Sequence, residues 1–415
     1  MSMDIGAVIQ FYRTKNGLTQ KDLASGVCSI SYLSKIESGV IEPKQDTIEI
    51  LFERLNMDYE KLSSYDEKTI HAQIDLLYRS ITEQKLDKAK EIVEELKEVI
   101  TPFHEPYVQN YFQLIHFYYL ITTNPAERYH INFQELLRLE NTFKGQKKFY
   151  FYKVIGFYYN CHLNSKQANY YFHKAVDILE ENNLRDPEIY YLLALSYMGM
   201  QKPIYSNYYV GVALEQYAND LLYRKVTDCY HLLGINYLNL GAYDISETYF
   251  NQVLQSKPMG DSPKVRSRAT HNLAILYYRK GNLNRALNLL LEALENHQQL
   301  YDITHSTLII AKIYFQQGKL EKAEEYLKQG EERLKGANLT KVRHRYYILR
   351  HQLYDQTHDE NFLERCEKVI LPYFQSIGEN GLIKELLQLL AEIYTEKKEY
   401  EKAIDYYKQL NEIKN

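Results

Sequence analysis

The sequence predicts an all-α protein: an N-terminal helix-turn-helix bundle followed by a right-handed tetratricopeptide-repeat superhelix. Two observations carry this. Between Gly17 and Gly39 lie two short amphipathic segments joined by a tight turn, and further along a small–Tyr–small signature recurs six times. In the first stretch Thr19 and Asp22 have capping-box spacing, which starts one helix, and Leu23, Ala24 and Val27 form its apolar side. Ser29 is placed to cap the next helix, Leu33 and Ile36 face inward, Gly39 ends it in a left-handed cap, and Pro43 opens the following loop. The rest of that second helix, Ile30, Ser31, Tyr32, Ser34 and Lys35, is left to enter a major groove. Ser31, Tyr32 and Lys35 are the candidate base readers, with Ser29 and Ser34 beside them, and Gln20 and Lys44 are the candidate phosphate contacts. The same apolar core would also serve a small bundle used only for protein contacts.

The run Thr-Gln-Lys-Asp-Leu-Ala followed by Leu-Ser-Lys-Ile-Glu-Ser-Gly resembles the phage-repressor class of these domains. Its turn, Val27-Cys28-Ser29, reads as shorter by about one residue and without the usual turn glycine. Charge constrains how such a domain binds. The 415-residue chain has a net charge of −4, and its first 65 residues hold seven basic against nine acidic side chains. Nonspecific affinity comes from counterion release, so one copy neutralises few phosphates and a second copy is expected. Residues 1–65 are therefore read as the DNA-binding domain of a homodimer or larger homo-oligomer acting on a double-stranded operator.

Beyond the polar joint Ser63–Thr69, residues 66–415 read as about nine helix pairs that bind a peptide and oligomerise. The signature sets are Gly156/Tyr159/Ala168, Ala194/Tyr197/Ser206, Gly234/Tyr237/Ser246, Ala274/Tyr277/Ala286, Ala311/Tyr314/Ala323 and Ala391/Tyr394/Ala403. The first small residue lets helix A approach helix B, the Tyr fills the gap to the neighbouring repeat, and the second small residue sits at the crossing on helix B. Gly241, Gly281 and Gly318 break the chain between helices, and Pro258 ends one unit. The long gap between Ala311 and Ala391 leaves room for a degenerate pair holding Tyr347, Tyr354 and Leu363. A stack of this kind offers a groove suited to extended peptides or helices.

The chain shows no Gly-rich phosphate loop, nucleophile elbow or HExxH, so an enzyme is not expected. Four cysteines, Cys28, Cys161, Cys229 and Cys366, lack metal or disulfide spacing, and His344, His351 and His358 recur two turns apart, too far to share a metal. No cofactor is called for. No run of about eighteen apolar residues and no leader at Met1 is seen, which points to the cytoplasm. The 41 Tyr, with no Trp, are assigned to packing rather than base stacking. On the inner faces of the A helices, His231, Arg268, His271 and Asn272 are the candidate peptide contacts. The Asn272 amide can donate to and accept from one backbone unit, and Arg268 can hold a carboxylate.

A repressor-like helix-turn-helix joined to such an array resembles the Rgg, Rap, NprR, PlcR and PrgX group of quorum-sensing receptors, and in domain layout is most similar to NprR. That resemblance implies a transcriptional regulator whose oligomeric state and activity answer to a short signalling peptide in the repeat groove. The peptide-anchoring Asn residues of the group carry over to Asn272, whereas the equivalent position one repeat earlier is Leu232. Two other readings fit the same layout: an adaptor of the Rap kind that binds a phosphorelay response regulator when free of peptide, and a plasmid or phage repressor whose repeats only oligomerise.

Overall fold

The computed structural model describes residues 5–57, 59, 67–100, 105–124, 133–256, 263–296 and 299–413, which are helices and short connections with no strand among them. The chain forms two compact units, Met1–Leu192 and Leu193–Asn415. The first begins with α1 (Ile5–Lys15), α2 (Gln20–Ala24), α3 (Ile30–Glu37) and α4 (Gln45–Arg54), closed around Val8, Ile9, Leu23, Leu33, Ile36, Leu51 and Phe52. The capping box forms: the Asp22 amide donates to Thr19 Oγ1, and the Thr19 amide donates to the Asp22 carboxylate at 2.9 Å. At α3 the Tyr32 amide donates to Ser29 Oγ at 3.1 Å.

The turn between α2 and α3 corrects the expectation drawn from the sequence. It does contain a glycine: α2 ends at Ala24, and Gly26, with φ +71°, is the left-handed residue that reverses the chain. Arg54 reaches over from α4 and donates to the carbonyls of Leu23 and Ser25, meeting helix-end acceptors that the turn leaves open.

Nine helix pairs follow among the described residues. They are α5 (Glu67–Thr82) with α6 (Leu86–Val99), α7 (Pro106–Thr123) with α8 (Phe133–Arg138), and α9 (Gly145–Cys161) with α10 (Ser165–Glu181). Next come α11 (Pro187–Gly199) with α12 (Pro203–Asn219), α13 (Tyr223–Asn239) with α14 (Tyr243–Gln255), and α15 (Pro263–Arg279) with α16 (Leu283–Asn296). The last are α17 (Leu300–Gln316) with α18 (Leu320–Arg333), α19 (Thr340–Leu353) with the segment from α20 (Glu360–Arg365) through a π-helical turn into α21 (Leu371–Ser376), and α22 (Asn380–Glu396) with α23 (Tyr400–Glu412). Pro258 and residues 63–66 of the joint lie outside the described residues. No helix among those described is long and apolar enough to cross a membrane.

The crossing inside each pair shows why small residues recur. A Cβ on Gly156 or Gly234 would stand 2.5 Å from the ring of Phe172 or Phe250, both fully buried. The helices approach so closely that Ser206 Oγ donates to the Ala194 carbonyl and Ser246 Oγ to that of Gly234, each at 2.8 Å. The signature Tyr reaches the preceding repeat as expected, with the Tyr277 hydroxyl donating to Glu247 and that of Tyr394 to Glu367, and it has a second neighbour as well. It packs on helix B of its own pair, against the Tyr twelve residues on: Tyr159 on Tyr171, Tyr197 on Tyr209, Tyr237 on Tyr249, Tyr314 on Tyr326 and Tyr394 on Tyr406, with centroids 5.4–5.8 Å apart. Residue 289 is Leu, and there the Arg285 guanidinium lies 4.0 Å over the Tyr277 ring instead.

Seven residues after the first small residue, each signature pair has a left-handed residue. It is Gly at 241, 281 and 318, but Leu163, Gln201 and Lys398 hold the same conformation at φ +58°, +56° and +61°. Gly234→Ala should overpack the Phe250 contact and cost about 1–3 kcal/mol. Leu163→Gly, at a position 90% exposed, should relieve left-handed strain and raise stability by up to about 1 kcal/mol. Urea unfolding of both variants measures this; a neutral Gly234→Ala would mean that the crossing is looser than described.

Candidate functional site

The DNA-facing candidate lies in the first unit. Ser31, Ser34 and Lys35 are exposed on α3, and Tyr32 is half-buried with one side against the bundle core. Ser29 is committed as the helix cap through its accepting lone pair, which leaves the hydroxyl proton for a partner. Lys44 is exposed at the start of α4. Gln20 is drawn inward, its Nε2 donating to Glu37 Oε2 at 2.8 Å. Ile30, 48% exposed in the first turn of α3, was not among the candidate base readers, and its side chain suits a thymine methyl.

What fixes α3 is a pair that the local sequence does not announce. Arg13 grips buried Glu37 through two parallel bonds of 2.6 and 2.9 Å and spends its third nitrogen on the Leu18 carbonyl. The two residues are 24 positions apart. A bidentate guanidinium pair of this kind fixes rotation as well as distance, so α3 is held against α1 with its polar face outward.

The groove candidate lies in the second unit, on the inner faces of α13, α15, α17, α19 and α22. Asn272 Nδ2 is 3.0 Å from His231 Nε2, linking α15 to α13. His271 is buried, with Nδ1 hydrogen-bonded to Ser306 Oγ at 2.7 Å and Nε2 to His305 Nδ1 at 2.9 Å. Arg268 already has partners: Nε donates to Asp302 Oδ2 at 3.0 Å and NH2 to Gln299 Oε1 at 2.6 Å. The four candidates thus make three sets of contacts tying three successive A helices, with Asn272 and His231 in direct contact. Further along, Lys312 of α17 meets Glu385 of α22 at 3.0 Å, and Gln201 donates to the Gly378 carbonyl, so A helices and loops distant in sequence face each other. His305, Lys312 and Glu385 were not among the sequence candidates, although they share the inward register.

Burial pushes His231 down to about 4, and the nearby Arg268 guanidinium adds to the effect. His305 is held well below its ordinary value by burial and then by Arg345, His271, Lys341 and Lys312. Both rings are therefore neutral near pH 7, as acceptance of an amide proton by His231 requires. In the unfolded chain these rings titrate near 6.5, so below that pH the unfolded state binds more protons than the folded one. Stability should be flat above pH 6.5 and fall as the pH drops from 6.5 towards 4. Thermal midpoints across that range measure it, and His231→Asn should reduce the slope; a slope unchanged by that variant would assign the acid sensitivity elsewhere.

Comparisons with known proteins follow the same division. A helix-turn-helix family model matches residues 9–62, and tetratricopeptide-repeat models match 227–258, 265–335 and 386–415. The chain is thus of the class that joins a helix-turn-helix domain to a tetratricopeptide array. Over 398 residues, 93% of this chain and 97% of the relative, it is 25% identical to the transcriptional activator NprA of Geobacillus stearothermophilus. The fold is shared with the apo form of the quorum sensor NprR from B. thuringiensis (TM-score 0.71, 19% identity) and with NprR in complex with its cognate peptide NprX (TM-score 0.67, 17% identity). Each of these covers 84% of this chain and 99% of the other. The chain is similar to the NprR-type members of the quorum-sensing group over nearly its whole length.

Proposed function

We propose that this protein is a DNA-binding transcriptional regulator whose groove takes a short signalling peptide, and whose oligomeric arrangement and operator affinity respond to that peptide. The observation that carries the reading is the end-to-end likeness to a transcriptional activator, spanning both the helix-turn-helix and the repeats. The inner-face chemistry supports it. Asn272 Nδ2 and His231 Nε2 hydrogen-bond each other across the inner face, and an extended peptide backbone offers the same kinds of donor and acceptor. Exchange of one set of partners for the other leaves no polar group stranded. A ligand moves an assembly equilibrium only by its differential affinity for the two states, and inter-helix contacts such as Lys312–Glu385 are the type that can differ between them.

Within α3, Tyr32→Ala should change sequence preference, costing about 1–3 kcal/mol at one base step, while Lys44→Ala should weaken all sequences alike. Anisotropy with a panel of duplexes reads both, and the reversed pattern would mean that α3 is rotated relative to this account.

Asn272→Ala should lose the peptide response while keeping fold and basal DNA binding, because it leaves the Ala274/Tyr277/Ala286 packing intact. Calorimetry with peptides encoded beside the gene, paired with light scattering, tests this. A variant that binds peptide as tightly as the parent and still changes its assembly would place the binding groove elsewhere.

A further inference from the structure

At the far end of the groove, Arg345 on α19 lines a cavity of about 60 Å³ together with Lys312 and Glu385, over an apolar wall that includes Ile348, Phe374 and Leu386. The Arg345 Nε is buried and has no hydrogen-bond partner among the described residues. A guanidinium stays charged at any accessible pH, so this N–H cannot be neutralised by losing its proton and calls for an acceptor. Lys312 is well covered, with its side chain 20% exposed, whereas the Glu385 side chain that pairs with it is 62% exposed. Two largely enclosed cations therefore share one water-facing carboxylate, and Glu385 occupies the place of a displaceable anion. A water needs roughly 10–15 Å³, so the cavity has room for a carboxylate and the first carbons of an apolar side chain.

The geometry points to a carboxylate subsite: Arg345 and Lys312 bind the C-terminal carboxylate of a groove-bound peptide, and the apolar wall takes its last side chain. This inference rests on the peptide-receptor reading. It also moves the carboxylate anchor from Arg268, whose side chain Asp302 and Gln299 already engage, to the guanidinium whose buried Nε has no hydrogen-bond partner among the described residues. Binding forms a charge-assisted, two-pronged contact with Arg345 and frees Glu385 to water.

The probe is a synthetic hexapeptide mixture with free C-termini, and the same mixture made as C-terminal amides, each passed over immobilised full-length protein and read by mass spectrometry. The parent should retain free acids over amides by about tenfold, the effect of one charge-assisted hydrogen bond, with apolar last residues enriched. Arg345→Gln should lose that preference while still retaining peptides in an Asn272-dependent way, and Glu385→Gln should strengthen it, giving an opposite signal should the first variant fold poorly. Equal retention of acids and amides by the parent, with retention still dependent on Asn272, overturns the subsite and spares the receptor reading. Preference for acids that survives Arg345→Gln overturns it too, as does Arg345-dependent retention of amides carrying Asp or Glu, which would assign the contact to a side chain. Retention of neither mixture overturns both readings.

Discussion

The close crossing of helix A on helix B inside each repeat is the constraint from which the remaining structure follows. Helices cannot approach closely with ordinary side chains at the crossing, so Gly156 and Gly234 give way to the rings of Phe172 and Phe250, and Ser206 and Ser246 come near enough to bond the opposite backbone. With the pair fixed at that distance, a Tyr on helix A meets the residue twelve positions on, and the stacked ring pair holds the two helices in rotation as well as spacing. Inner-face positions of successive A helices then recur at a set pitch, which places Asn272 within bonding distance of His231 and His271 within bonding distance of His305.

Those inner positions are polar in an interior that penalises unpaired polar groups, and the chain solves this by pairing them across helices. Neutral histidines suit the task because one ring can accept and donate at once, and burial, aided by the surrounding cations, keeps them neutral. Arg268 is matched by Asp302, and Lys312 by Glu385. Arg345 keeps a buried Nε that finds no acceptor among the described residues. In the helix-turn-helix the same rule is met by Arg13 and Glu37, whose mutual neutralisation leaves α3 free to present exposed Ser31, Ser34 and Lys35.

Much of this was legible in the sequence because its cause is local or periodic. Thr19 and Asp22 predict their own capping box, and six small–Tyr–small sets predict helix pairs, since both depend on spacing along one helix or across one short turn. The role of Gly26 was missed because helix α2 stops one turn earlier than its apolar pattern suggests. The left-handed residues Leu163, Gln201 and Lys398 were missed because no glycine marks them, although their equal distance from the first small residue was a usable signal. The Tyr-to-Tyr interval of twelve was equally available and adds the contact within the pair to the expected one with the neighbouring repeat. In contrast, Arg13–Glu37 and Lys312–Glu385 join residues 24 and 73 positions apart, and no local pattern encodes such pairs.

Coupling of a groove ligand to a DNA-reading helix within one chain is measurable through thermodynamic linkage, without reference to any single residue. If peptide changes operator affinity by some factor, operator must change peptide affinity by the same factor. The direct measurement is calorimetric titration of peptide into the full-length protein, alone and saturated with an operator duplex, beside operator binding with and without peptide. Coupling gives two shifts that are equal in size and sign. Peptide affinity that is identical with and without operator, alongside intact operator binding, would contradict it.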